Sequence, residues 1–170
     1  MKVVVADTSP LNYLVLIGEV DLLAQLYGEV LIPDIVAREL GDSEAPPAVV
    51  QWASRLPPWI DVRPTPVSAE RLERLDAGER AAILLAEAQT PPVLLLIDDA
   101  DGRAEAVRRN IPTTGTLGIL RAAAIREFTE LPAALARLRA TNFRCAAVLF
   151  DELLAEEAQR RRGGRPARPA

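Results

Sequence analysis

The chain has 170 residues, 49% of them hydrophobic, and a formal net charge of −4, a length that suits one domain able to bury a sizeable core. It contains no histidine, and its only lysine is Lys2; imidazole acid–base chemistry, histidine metal sites and a phosphate-loop lysine are excluded, and a Schiff-base mechanism is disfavoured. No apolar run approaches the ~20 residues of a membrane span, and a strand pattern begins at once where a leader would stand; the single Cys145 cannot form an internal disulfide, so a reducing cytoplasm is the expected setting.

Val3–Ala6 is a β-branched run that reads as a strand buried on both faces, and it leads directly into Asp7. "SPLNYLVLIG" follows with helical spacing, Ser9 as N-cap, Pro10 at the first helical position and Gly18 as the stop. "EVDLLAQLYG" is a second short amphipathic helix. Glu29–Ile32 reads as the next strand, and "PDIVARELG" as a helix from Pro33 to Gly41. Ala45–Pro66 is rich in proline and reads as a short helix with connecting loops around a strand at Trp59–Arg63. Tyr13, Tyr27, Trp52 and Trp59 lie within apolar stretches and read as core or interface, not as base-stacking platforms.

"DAGERAAILLAEAQ" is the clearest helix, with Ala82, Ile83, Leu85 and Ala86 on one side. Val93–Ile97 has no polar alternation and suits a central strand covered on both faces. Ile111–Thr114 is the last strand, and helices fit Ala100–Arg109, Thr116–Arg126, Leu131–Arg139 and Ala146–Gln159. Cys145, the single cysteine, has no internal disulfide partner and reads as a small buried hydrophobe. "RRRGGRPARPA" closes the chain with five arginines, which leaves −9 on the rest once they are removed from −4. The expected organisation is one domain over residues 1–159 and a disordered arginine-rich tail over 160–170. An acidic body with a basic tail is unlike a typical DNA-binding surface.

Strands alternating with helices indicate an α/β fold with a mainly parallel sheet. In such sheets ligands collect beyond the carboxyl ends of the strands, where strand order reverses. Asp7 follows the first strand, and Asp98 and Asp99 follow the fourth. If those strands are neighbours, their acids meet, and Glu39 and Glu79 are placed to join them. Simpler roles compete at each position: one of Asp98 and Asp99 suits an N-cap, and Asp76 with Glu79 has the spacing of a capping box. Glu39 lies in the last turn of its helix, where the dipole disfavours an acid. Several carboxylates around one point repel each other unless a cation sits among them. With no lysine nearby and no histidine, a hard divalent ion is the economical choice, and it can support phosphodiester hydrolysis.

Four motifs in order, "DTSPL", "IPDIVAREL", "LDAGERAAILLA" and "LLLIDDADGRAEA…IPTTGTLGIL", make residues 2–145 resemble the PIN-domain ribonucleases, in the branch carrying "GTLG". The resemblance implies a three-layer α/β/α sandwich with a parallel five-stranded sheet and an acidic Mg²⁺ or Mn²⁺ pocket. It further implies single-stranded RNA as substrate, a small antitoxin protein as partner, a homodimer, and a toxin's role in a toxin–antitoxin module. Carried over by motif, Asp7, Glu39, Glu79 and Asp98 are the catalytic and metal-binding acids, with Asp99 as an additional ligand. Ser9, Arg103, Thr114 and Thr116 are the substrate-binding candidates. Simpler readings stand beside these too: a cap for Ser9, an ion pair within its own helix for Arg103, and a strand end and helix start for the threonines.

The chain departs from many relatives in having Glu at position 79 instead of Asp, and Leu96 and Ile97 where a hydroxyl often precedes the late acid. These departures motivate an alternative, a PIN-fold binding module without catalysis that acts through a protein partner. A phosphoacceptor receiver domain also gathers acids at strand ends, but it requires a lysine across the pocket, and Lys2 begins the first strand at the wrong end.

Overall fold

The computed structural model describes residues 2–68, 72–90 and 92–163. The strands are β1 (Val3–Ala6), β2 (Val30–Pro33), β3 (Ile60–Arg63), β4 (Val93–Leu96) and β5 (Thr113–Thr114). The helices are α1 (Thr8–Leu16), α2 (Leu22–Tyr27), α3 (Asp34–Leu40), α4 (Pro47–Ala53), α5 (Ala77–Glu87), α6 (Ala100–Arg108), α7 (Thr116–Ile125), α8 (Leu131–Arg139) and α9 (Ala147–Gly163). All strand pairings are parallel, in the order β3-β2-β1-β4-β5. This is the expected three-layer α/β/α sandwich with a five-stranded parallel sheet.

Side chains alternate faces along a strand, and here both faces are covered. Val4 and Ala6 of β1, Val30 and Ile32 of β2, and Leu94 and Leu96 of β4 pack with Leu11, Leu14, Val36, Leu40, Ile119 and Leu135 from the helices of one layer. Val5, Leu31, Val93 and Leu95 face the other way, onto Ala82, Ile83 and Leu85 of α5 and Ala106 of α6. A β-branched run without polar alternation is the sequence form of a strand enclosed on both sides. No helix among the described residues is long and apolar enough to cross a membrane.

The ends of several elements differ from expectation for definite reasons. β5 begins at Thr113, not Ile111: the Ile111 N–H is taken by Ala106 O at 2.9 Å, closing α6, and Pro112 has no N–H for the ladder. α1 begins at Thr8, which puts Asp7, not Ser9, at the N-cap position. α9 runs on through Arg160–Gly163, which the sequence placed in the tail. There Arg160 and Arg161 grip the buried Glu157, and Arg160 also donates to Ala124 O at 3.0 Å while Arg161 donates to Glu130 at 2.6 Å. Residues 164–170 of the expected tail lie outside the described residues.

The chain winds outward from β1 through β2 to β3, then returns to the other side of β1 for β4 and β5. The reversal therefore falls between β1 and β4, where Ala6 pairs with Leu96 and the Asp7 N–H donates to Leu96 O at 3.0 Å. Asp7 and Asp98 leave the sheet side by side.

Candidate active site

At this switch point a cleft of about 1150 Å³ opens across the carboxyl ends of the strands. Asp7, Ser9, Glu39, Glu79, Asp98, Asp99 and Arg103 all line it. The acids that the sequence scattered over more than ninety positions thus share one wall system.

Asp7 is the anomaly of the group. It holds the N-cap position of α1 yet makes no side-chain capping bond. It is 2% exposed, and its Oδ1 is buried without a hydrogen-bond partner among the described residues. Burial pushes its pKa up to about 8; Asp76, Glu79 and Glu39 add like-charge repulsion, and the Thr8 N–H offsets part of the rise. A buried, unpaired acceptor of this kind is costly for folding. Such exceptions call for a ligand or a catalytic role.

Asp98 is held the opposite way, by donors on both of its oxygens. Its Oδ1 accepts the Thr116 N–H and its Oδ2 the Thr116 hydroxyl, both at 2.7 Å. The Ser9 hydroxyl and the Arg103 charge also favour its ionised form, while burial raises its pKa above the usual carboxylate range. Gly115 makes this close approach possible: a Cβ there would stand 2.6 Å from Asp98 Oδ1 and 3.4 Å from Ile97 O. The "TTGTLG" segment is therefore a clamp for Asp98. The hydroxyl missing from the strand ahead of Asp98 is supplied in space by Thr116 and Ser9.

Glu39 reaches the cleft from the last turn of α3, where the Thr8 hydroxyl donates to its Oε2. Gly78 leaves the room it needs, because a Cβ at that position would collide with the Glu39 carboxylate. Glu79 performs both of its candidate roles. Its N–H donates to Asp76 Oδ1 at 2.8 Å and its Oε2 accepts the Asp76 N–H at 3.1 Å, completing a capping box. Its carboxyl nevertheless faces the cleft, and its pKa is raised to about 7, first by burial and then by Asp76, Asp99 and Glu39. Asp99 caps α6 through Gly102 N at 2.9 Å and borders the cleft from there.

Two expected substrate contacts lie elsewhere. Thr116 is fully buried behind Asp98, which it orients. Thr114 does not line the cleft, and its hydroxyl lies against Gly118. Conversely, the cleft is bordered by residues that sequence reasoning did not select: Thr8, Asn12, Asp76, Asn142 and Arg144. Tyr13, expected in the core or at an interface, and Cys145, expected in the core, are half-buried and border the cleft as well. Thr8 and Asn12 flank positions already singled out in "DTSPLN", whereas the loop bearing Asn142 and Arg144 carries no sequence signal for this site.

Oxygen donors alone suit a hard divalent ion such as Mg²⁺. The orphaned Asp7 Oδ1 and the mutual repulsion of Asp7, Glu79 and Glu39 are both relieved by a cation. Among the described residues, however, no three acids stand close enough to ligate one ion together. The expected five-acid set is thus not assembled as one cage: Glu79 and Asp99 are engaged in helix caps and Asp98 in the Thr116 clamp. This arrangement fits an ion held through one or two carboxylates, with water and phosphate oxygens completing its shell, as is usual for Mg²⁺.

A family model described as DUF3368, PIN domain, matches residues 3–159. No curated relative and no solved structure matches the chain. The match covers nearly the whole domain and every acid of the cleft, so the chain belongs to the PIN-domain family, whose members are typically nucleases.

Proposed function

We propose that the chain is a divalent-metal-dependent endoribonuclease that cleaves single-stranded RNA by phosphodiester hydrolysis. The observation that carries this reading is Asp7: a buried acid at the switch point whose Oδ1 has no hydrogen-bond partner among the described residues, set among other carboxylates in an open cleft. Asp7 and Asp98 would hold the ion, with Glu39 and Asp99 supporting it. When bound, Mg²⁺ or Mn²⁺ supplies charge neutralisation at the phosphoryl oxygens and an activated water. Asp98, locked by Thr116 and Ser9, brings a fixed carboxylate to the site without rearrangement. Glu79, poised near neutrality, can accept a proton at the oxygen its capping bond leaves free. Arg103, exposed beside Asp98, can meet the phosphate.

A toxin's role, with a small antitoxin partner and a homodimeric state, extends this reading through the family resemblance. The test uses purified protein and labelled single-stranded RNA. Cleavage in Mn²⁺ or Mg²⁺ that stops with chelator and in Asp98→Asn supports the nuclease; equal cutting by Asp98→Asn and wild type defeats it. Induction in cells tests the toxin role, because growth should stop with wild type and continue with Asp98→Asn.

A further inference from the structure

The cleft is larger than an ion and a phosphate require. Small-ligand pockets run to roughly 300–1000 Å³, and this one reaches about 1150 Å³ because it continues past the acids. One wall of the extension is α1, whose Ser9, Asn12 and Tyr13 all face the cleft. Ser9 to Tyr13 is about 6 Å along the helix, so the far end lies one turn beyond Asp98. The opposite wall is the connection between α8 and α9, with Asn142, Phe143 and Arg144.

This connection is braced. The Tyr13 hydroxyl donates to Asn142 Oδ1 at 3.1 Å, and the Tyr13 and Phe143 rings meet edge to face at 4.9 Å and 86°. Phe143 in turn packs on Phe150 of α9 at 6.4 Å and 87°, and the Arg139 guanidinium lies 4.5 Å from the Phe150 centroid. A loop fixed by a run of aromatic contacts keeps its polar groups in place before a ligand arrives.

Those polar groups keep unused donors. Three arginines line the cleft: Arg121 is paired with Glu156, Arg103 leans on Asp98, and Arg144 has no carboxylate partner among the described residues. Asn12 makes no side-chain hydrogen bond among the described residues, and Asn142 keeps its amide N–H groups free while its Oδ1 receives Tyr13. An arginine without a carboxylate partner, in a cleft lined by several acids, suits a phosphodiester, and asparagine amides pair a donor with an acceptor as base edges require.

We propose that Asn12, Asn142 and Arg144 form a subsite for the RNA nucleotide next to the cleaved phosphate, with Arg144 on its backbone phosphate and the two amides on its base. The subsite rests on the nuclease reading for the identity of its ligand and gives that reading a sequence preference at one position.

The experiment measures binding apart from cleavage. Fluorescein-labelled RNA 12-mers of a single base are titrated by anisotropy into full-length Asp98→Asn protein, alone and combined with substitutions at the three positions. Arg144→Ala should weaken all four RNAs by a similar factor of about five to ten and reduce the salt slope of log K by about 0.7, one single-strand phosphate contact. Arg144→Lys should restore most of that loss. Asn12→Ala and Asn142→Ala should weaken one homopolymer several-fold more than the others. Arg63→Ala, on β3 away from the cleft, should bind as the parent does, and melting curves show whether each variant is folded. Parent-like binding by folded Arg144→Ala, or no RNA binding by the parent, overturns the subsite. Selective binding without any metal-dependent cleavage by wild type leaves the subsite standing and removes the nuclease.

Discussion

Asp7→Asn tests whether the cleft stores repulsion for the sake of function. The substitution removes a charge at constant volume from a position that is 2% exposed. The pKa of Asp7 rises from 3.8 to about 8 on folding. The folded chain thus keeps a proton that the unfolded chain releases, and stability falls as pH rises through that window. Four units at 1.36 kcal/mol each set an upper bound on the order of 5 kcal/mol, and hydration of the open cleft brings the expected effect to roughly 2–3 kcal/mol. Urea unfolding in chelator should show Asp7→Asn more stable than wild type by that amount at about pH 8.5, with the gap narrowing at about pH 5. The urea slope m should be the same for both proteins. A variant less stable than wild type at the higher pH, or a gap equal at both, refutes the stored repulsion.

Thr116→Val keeps the buried volume but strips one donor from Asp98, so a loss of about 1–3 kcal/mol in stability and at least a tenfold drop in cleavage are expected from urea titration and single-turnover assays. Gly115→Ala places a methyl 2.6 Å from Asp98 Oδ1; cleavage should fall as Asp98 is displaced, with overpacking costing ~1–3 kcal/mol in a thermal melt. Glu157→Ala leaves Arg160 and Arg161 without their buried partner. Its effect should appear in hydrogen exchange as roughly several-fold faster amides over residues 157–163.

Most of the fold was legible because its signals are local. The Val3–Val5 run and "VLLLI" have no polar alternation, and strands enclosed on both faces are written that way. The acids were legible because each follows a strand or belongs to a motif, and the switch point then places Asp7 beside Asp98. What stayed hidden depends on contacts between distant segments. By its position in the chain Thr116 reads as a helix start or a substrate contact, and only the fold shows it clamping Asp98 from eighteen positions away. Asp7 occupies the N-cap place assigned to Ser9, a displacement that spacing cannot reveal because both residues are good caps. The arginines at 160 and 161 read as a solvated end, since nothing in the local pattern announces that Glu157 of the same helix is buried and that Arg160 reaches Ala124 O of α7.

Titration calorimetry with MnCl₂ bears most directly on the claim that the carboxylates at the sheet's switch point hold a divalent cation. Wild type at about pH 8 should bind Mn²⁺ with micromolar affinity. Binding should weaken at least tenfold at about pH 6, where Asp7 retains a proton that competes with the ion. Asp7→Asn should bind none. No heat of binding in wild type at the higher pH, or equal binding in the variant, contradicts the account.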